Sequence, residues 1–488
     1  MYLSAAQGES MERLSDVHSQ HFLFVTSPLQ GHVNPVLRLA SRITEANPSA
    51  RVTFSNAVSG HRRMFPSLAS PDAELAVDGV LHAPYSDGYD EGFDPKVHDV
   101  RSFNARARDA GGETLSGVIE RLAARGKPVT RVVYTLLVGW ALDVARAHGV
   151  PAALYWIQPA TVFAVYYHHF HGHGEAIASC ANDPGRGGSV RLPGLPPLRC
   201  DALPSIVSVI SPEQPLYGAL SALRDLFAGL DEHGPTVLIN TFEALEQDAL
   251  RAVPRLEVLA AGPVMPDDDP SSSSCTDLVK RDDDAEDHME WLDTRAAGSV
   301  VYVSFGTMLP VSKRQEVELV RGLEATNRPY LWARGGAKAK QGGGVDQEEM
   351  DGGGIVGTRR GMVVDWCEQA RVLSHPAVGC FVTHCGWNSA LEGITRGVPI
   401  VAVPQWTDQP TNAWLVEERA GVGVRAAVDG EGVVERDELR RCVEEAMGDG
   451  ERGVEIRARV QEWMERAREA LAGGGTSEKN VRAFASGL

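Results

Sequence analysis

Short apolar runs separated by amphipathic, helix-prone stretches recur along most of this chain. His21–Ser27 (HFLFVTS), Arg51–Asn56, Thr130–Thr135, Ala152–Ile157 and Val237–Thr241 form a first set. Ser299–Phe305 (SVVYVSF), Pro329–Arg334, Gly361–Trp366, Val378–His384 and Val398–Pro404 form a second. A brief apolar run bounded by polar residues reads as a buried strand, and strands alternating with helices read as parallel α/β sheet. Between the sets lies Met265–Glu290, rich in Asp, Ser and Pro, which reads as an exposed linker. A second polar insert, Gly335–Gly354, reads as a mobile surface loop. No internal repeat of short period is present. The predicted fold class is therefore α/β, two doubly wound Rossmann-like domains facing across a cleft. The predicted boundaries are a tail (1–20), an N-terminal domain (21–264), a linker (265–290), a C-terminal domain (291–470) and a segment returning to the N-terminal domain (471–488).

Composition narrows the partners. The chain has 488 residues, 43% hydrophobic and 23% charged, with a formal net charge of −18. Such a surface repels nucleic acid and anionic membranes, so neither is an expected partner. A phosphate-bearing ligand has to be held by backbone amides and single His or Arg residues. The longest apolar run, Val132–Leu142, is too short to span a bilayer, so no membrane insertion is expected. Seven cysteines without a CxxC pair argue against a disulfide framework or zinc ribbon and for a cytoplasmic, reducing location.

The segment Trp366–Gln409 carries the most chemistry. A strand (Val378–His384), a turn (His384-Cys385-Gly386-Trp387), two N-cap residues (Asn388, Ser389) and a helix (Ala390–Arg396) follow one another. A strand, a glycine turn and a helix N-terminus form an anion site, where free amides and the helix dipole face the ligand. His384 adds a donor at its edge. Glu392 lies one turn into the helix, where a carboxylate can accept from two adjacent sugar hydroxyls. Trp366 offers a flat face to a base, and Asp408 with Gln409 offers acceptors and donors to a hexose. Taken singly, Trp366 reads as core, Glu392 as a solvated helix residue and Asp408–Gln409 as a cap; their joint register reverses those readings.

That register resembles the signature box of plant UDP-dependent secondary-product glycosyltransferases, which runs 44 residues from Trp366 to Gln409 here. Gln369, His384, Gly386, Trp387, Asn388, Ser389, Glu392, Pro399, Trp406 and Asp408 are in step with it. Pro28–Pro35, Leu192–Pro196, Asn240–Glu246, Ala261–Pro266 and Val303–Thr307 look like further landmarks. The resemblance, strongest to the branch with anthocyanin 5-O-glucosyltransferases and hormone-acid glucosyltransferases, implies a GT-B fold and glucose transfer from UDP-glucose. It implies Trp366 on uracil, Cys367 and Gln369 near the nucleoside, and Glu392 on the ribose. It implies Thr307, His384, Gly386, Asn388 and Ser389 at the diphosphate, and Trp387, Asp408 and Gln409 at the sugar. Gln in the last position accompanies glucose. No cofactor and no metal is implied, and the working unit is expected to be a monomer.

The same resemblance makes His32, in the Gly-His turn after the first strand, the general base of an inverting displacement. Many relatives pair this His with an Asp where this chain has Thr135. Thr135 is expected to bond the imidazole without supplying charge, and Asp87 is a substitute partner. A base without a carboxylate suits acceptors that are already acidic, such as a carboxylic acid or acidic phenol. Asp87, Trp156, Gln158 and Thr407 are the predicted acceptor-binding residues. The aromatic stretch Trp156–Ala160 continuing to Tyr166–His173 is expected to line an apolar pocket. A metal reading of its four histidines is disfavoured for lack of a nearby acidic or Cys ligand. Two rivals stand beside the transferase: a UDP-sugar-binding protein that has lost catalysis, and a nicotinamide oxidoreductase. The second lacks its glycine fingerprint.

Overall fold

The computed structural model describes residues 20–94, 96–99, 102–183, 187–214, 216–264, 285–306, 311–335 and 360–487. The predicted 265–290 linker lies outside them to residue 284. The rest of it forms a helix, Ala285–Asp293, so that boundary falls earlier than expected. Most of the Gly335–Gly354 insert and the tail up to residue 19 also lie outside. Gln20 is already anchored, its side-chain oxygen accepting from Thr130 Oγ1 at 2.9 Å.

The strands are β1 (His21–Thr26), β2 (Arg51–Asn56), β3 (Leu75–Val77), β4 (Val80–His82), β5 (Arg131–Thr135), β6 (Ala152–Trp156), β7 (Ser189–Val190), β8 (Leu198–Arg199), β9 (Thr236–Ile239) and β10 (Val258–Ala260). They continue with β11 (Val300–Ser304), β12 (Tyr330–Ala333), β13 (Gly361–Val364), β14 (Val378–Thr383), β15 (Ile400–Ala402) and β16 (Gly423–Arg425). The first sheet runs β10-β9-β6-β5-β1-β2-β4-β3, and the second β13-β12-β11-β14-β15-β16. Every pairing in the two is parallel except β3 with β4. The central strands are buried on both faces, as helix-covered parallel sheets require; Phe22, Leu23, Phe24 and Val25 are all fully buried.

Both sheets start in the middle and grow outward in two directions. The chain reverses direction across the sheet between β1 and β5, and again between β11 and β14. Loops leave such neighbours on opposite faces and open a crevice at the carboxyl ends of the strands. His32 follows β1, Thr135 ends β5, and His384 follows β14. The final helix, Thr476–Ser486, lies against the first sheet. The Phe484 ring lies tilted 5.8 Å from that of Phe22, and Asn480 Nδ2 donates to Ala260 O at 2.9 Å.

The ten strands read from the sequence are all present, within a few residues at their ends. The missed ones are β3, β4, β7, β8, β10 and β16, none longer than three residues, too short to show a period. A signal for β3–β4 existed: Asp78-Gly79 between Leu75–Val77 and Val80–His82, with φ of 50° and 80°, is a hairpin turn.

Two helix starts differ from expectation. The first helix begins at Gln30, so His32 sits in its first turn and not in a loop. Pro35 lies inside it, where a missing N–H leaves the carbonyl four residues earlier, that of Gly31, without its helical donor. The helix after β14 begins at Trp387 with Gly386 as its cap, and neither Asn388 nor Ser389 caps it. Their side chains are directed instead to other parts of the site. The cysteine reading also needs correction: Cys180 and Cys200 are disulfide-bonded, while Cys367, Cys380, Cys385 and Cys442 are buried free thiols.

Candidate active site

The corner where β11 and β14 end is built around one imidazole. His384 lies between two glycines, and a Cβ on Gly306 would come within 2.9 Å of its ring, one on Gly386 within 2.6 Å. Only glycine permits two backbones to close on the ring in this way. Burial pushes His384 down to about 4, against a hydrogen bond from the ring to the Ser304 backbone carbonyl that favours the charged form. It is therefore neutral at pH 7, with one N–H and one acceptor nitrogen. The next residue, Cys385, holds φ 62°, and Thr383 Oγ1 accepts from its amide at 3.3 Å. A left-handed non-glycine costs roughly 1–2 kcal/mol, and here it turns the chain into the helix N-terminus. The first intrahelical bond, Ala390 N to Gly386 O, is 2.9 Å, so the amides before it face outward as an anion site. Thr307 lies outside the described residues.

Asn388 and Ser389 fasten this helix to its surroundings. The carbonyl of Gly31, left open by Pro35, accepts from Asn388 Nδ2 at 2.9 Å. Ser389 Oγ accepts from Gln369 Nε2 at 3.1 Å. The Trp387 indole is buried and donates to Asn240 O at 2.6 Å, so its ring N–H is already engaged.

At the nucleoside end, Trp366 follows β13 and is half-buried. Gln369 Nε2 donates to Glu392 Oε2 at 2.7 Å, and the other carboxylate oxygen accepts from Arg38 Nη1 at 3.0 Å. Arg38 belongs to the first helix, in the opposite domain; it was not singled out from the sequence. Cys367 is buried in the core of the second sheet, its sulfur 3.2 Å from Tyr302 Oη, and burial pushes the thiol up to about 11. Its side chain is thus a packing group.

At the sugar end, Asp408 accepts three hydrogen bonds: from Gln158 Nε2 at 3.1 Å, Thr407 Oγ1 at 2.7 Å and Asn412 Nδ2 at 2.7 Å. Burial raises its carboxyl above the usual value while these donors pull it down. Gln409 Oε1 accepts from the amides of Gln405 (2.8 Å) and Trp406 (3.1 Å). Thr407, at φ 52°, is held by Ser205: its N–H donates to Ser205 Oγ at 2.7 Å and its carbonyl accepts from Ser205 N at 2.8 Å. Asn412 joins the two strained turns, since its Nδ2 also reaches Cys385 O at 2.9 Å. Ser205 and Asn412 were missed because nothing local to them marks a site, and Asn240 was read only as the start of a landmark segment.

The acceptor side is barer. His32 is pushed down to about 4 by burial alone, and its Nδ1 has no hydrogen-bond partner among the described residues. Thr135 Oγ1 meets Thr26 Oγ1 at 3.2 Å, which corrects the expected Thr135–His32 bond. Asp87 is buried, and its Oδ1 accepts from Tyr89 N at 2.9 Å; no carboxylate contributes to the shift of His32. Trp156 is fully buried, with its indole donating to Pro159 O at 3.1 Å and Phe163 packed 5.1 Å away. It is core rather than pocket wall. Gln158 is tied to Asp408. The histidine-rich stretch does not converge: His168 Nε2 meets Pro193 O at 2.9 Å, and His171 Nε2 meets Asp231 Oδ2 at 2.9 Å. Among the described residues no group of three His, Cys, Asp or Glu could hold a metal ion. Among them, too, no helix is long and apolar enough to cross a membrane.

Comparison with known proteins gives a consistent picture. The profile of the UDP-glucoronosyl and UDP-glucosyl transferase family matches residues 260–449. UDP-glycosyltransferase 75C1 of Solanum lycopersicum is 43% identical, over 95% of this chain and 97% of that protein. Anthocyanidin 3-O-glucoside 5-O-glucosyltransferase 1 of Perilla frutescens is 40% identical, over 95% and 97%. Among solved structures, Os79 of O. sativa in complex with U2F and trichothecene superposes with a TM-score of 0.76 at 31% identity, covering 96% of this chain and all of that one.

Proposed function

Since the chain belongs to the plant UDP-dependent secondary-product glycosyltransferases, GT-B enzymes of the UDP-glucosyltransferase class, we propose that it moves glucose from UDP-glucose to a hydroxyl or carboxyl of a small aromatic or apolar metabolite. The observation that carries this is the neutral His384 beside open helix amides, with Glu392 and Asp408 held on either side. Trp366 stacks on the base, Glu392 accepts from the ribose, and His384 with the amides of the Trp387–Thr395 helix binds the diphosphate. Asp408 and Gln409 orient the hexose. The acceptor oxygen attacks the anomeric carbon as its bond to the diphosphate breaks, so configuration inverts. His32 takes the acceptor proton, and the charge on the leaving UDP is met by donors already in place.

Three finer points belong to the proposal. The preferred acceptors are carboxylic acids and acidic phenols, since His32 has no carboxylate partner and a pKa near 4 in the ligand-free site. The four buried thiols support a cytoplasmic location; the Cys180–Cys200 bridge does not. A single chain supplies every residue named above, which supports a monomer as the working unit. The test is to incubate the purified protein with UDP-glucose and a panel of plant phenols and acids, measuring UDP release and product mass. No release with any acceptor, alongside intact UDP binding, would favour a binding protein without catalysis.

A further inference from the structure

The geometry points to Arg38, on the acceptor-side domain, as part of the nucleotide site: it positions Glu392 to read the ribose diol of a nucleoside diphosphate. This rests on the proposed donor site and extends it across the cleft.

The argument starts from lone pairs. A carboxylate has two oxygens and about four acceptor positions. Arg38 takes one on Oε1 at 3.0 Å and Gln369 takes one on Oε2 at 2.7 Å. One position is left on each oxygen, which is what two vicinal hydroxyls require. With one donor on each oxygen, the carboxylate cannot rotate without breaking a bond. The pair is nearly enclosed, the side chains being 13% and 9% exposed. A carboxylate closed over by a nucleoside loses its water, and a cation bonded to it offsets part of that lost hydration. Arg38 Nε is also buried and has no hydrogen-bond partner among the described residues.

The same two helices are tied a second time. Asn388 lies one turn before Glu392, and its side chain donates to Gly31 O, seven residues before Arg38. His32 stands next to the first tie. Binding the ribose at Glu392 therefore also fixes the helix that carries the base.

The experiment is calorimetric titration of the full chain with UDP and with 2′,3′-dideoxy-UDP, for wild type, Arg38→Met and Arg38→Lys. Wild type is expected to prefer UDP. Arg38→Met should weaken UDP about tenfold and the dideoxy nucleotide less than twofold, the loss of one charge-assisted hydrogen bond. Arg38→Lys should fall between, since it keeps the charge but not the fork. With Glu392→Gln already present, Arg38→Met should add little. KM for UDP-glucose should rise with the UDP affinity while the acceptor KM stays put. Equal weakening of both nucleotides would show a merely structural role and overturn the inference, as would unchanged UDP binding. A wild type that bound neither nucleotide would overturn the donor-site reading, and the Arg38 role with it.

Discussion

The two halves of the cleft are built to different standards. On the donor side, polar side chains are bonded several times over: Asp408 accepts three hydrogen bonds, Glu392 two, and Asn412 Nδ2 bridges two turns. On the acceptor side the candidate base itself is left open, His32 Nδ1 being buried without a partner among the described residues, while on the donor side only single atoms of Arg38 and Asn412 are left so. A ligand that never changes rewards fixed donors, because they need no reorganisation when charge develops. A pocket that meets a hydrophobic acceptor relies on shape, and leaves its few polar groups for the substrate to satisfy.

The sharpest way to break this comparison is at the base. His32→Ala should lower transfer to phenols by about a thousandfold, the scale of a lost general base. Transfer to carboxylic acids, ionised before they arrive, should fall far less. The ratio of the two rates decides it: equal losses would make His32 a positioning group. Next comes the donor side, where His384→Ala should lower kcat about a hundredfold for every acceptor alike, the cost of one preorganised donor to a developing anion. Melting temperature measured alongside should move little, since the helix keeps its Gly386 cap.

Thr135→Asp sharpens the contrast from the opposite direction. A carboxylate at this position should raise phenol rates about tenfold and leave carboxylic acids unchanged, since it stabilises only the imidazolium. A gain on both classes would show a general repacking. The smallest effect is expected at Ser205→Ala, which removes one bond to the strained Thr407 turn. KM for UDP-glucose should rise a few-fold while the affinity of UDP, which has no sugar, holds steady.

Acid should weaken the whole structure in one direction. His32, His82 and His384 are all lowered to about 4 by burial. The unfolded chain binds protons at these groups below about pH 6.5 and the folded one does not until about pH 4. Their contribution is therefore full above pH 6.5 and is lost as the pH falls towards 4. Melting temperature should drop across that window, and substitution of His82 by a neutral residue should flatten part of the drop.

How much of this was legible in the amino-acid order differs between the halves for the same reason. The donor residues Trp366 to Gln409 occupy one unbroken stretch of strand, turn and helix. Local register sets which of them share a face, so their joint presence could be read directly, and the alternating apolar runs likewise announced both sheets. The Gly386 cap and the early start at Gln30 escaped because helix ends depend on which amides find partners, not on apolar period. The acceptor side depends on residues from separate strands, so Trp156 was taken for a pocket wall when Phe163, Tyr166 and Phe227 pack against it, and Thr135 for a partner of His32 when its hydroxyl meets that of Thr26.

What the sequence determined alone was the fold class and the enzyme class, carried by alternating apolar runs and by one box of residues adjacent in the chain. The ties that make the site a single object were decided only by the tertiary structure. Gly31 with Asn388, Arg38 with Glu392 and Gln158 with Asp408 are 357, 354 and 250 residues apart. No local pattern encodes such pairs. They form because two sheets, each with its own switch point, present their loops to one crevice, and burial there leaves each polar group to find its partner on the other domain.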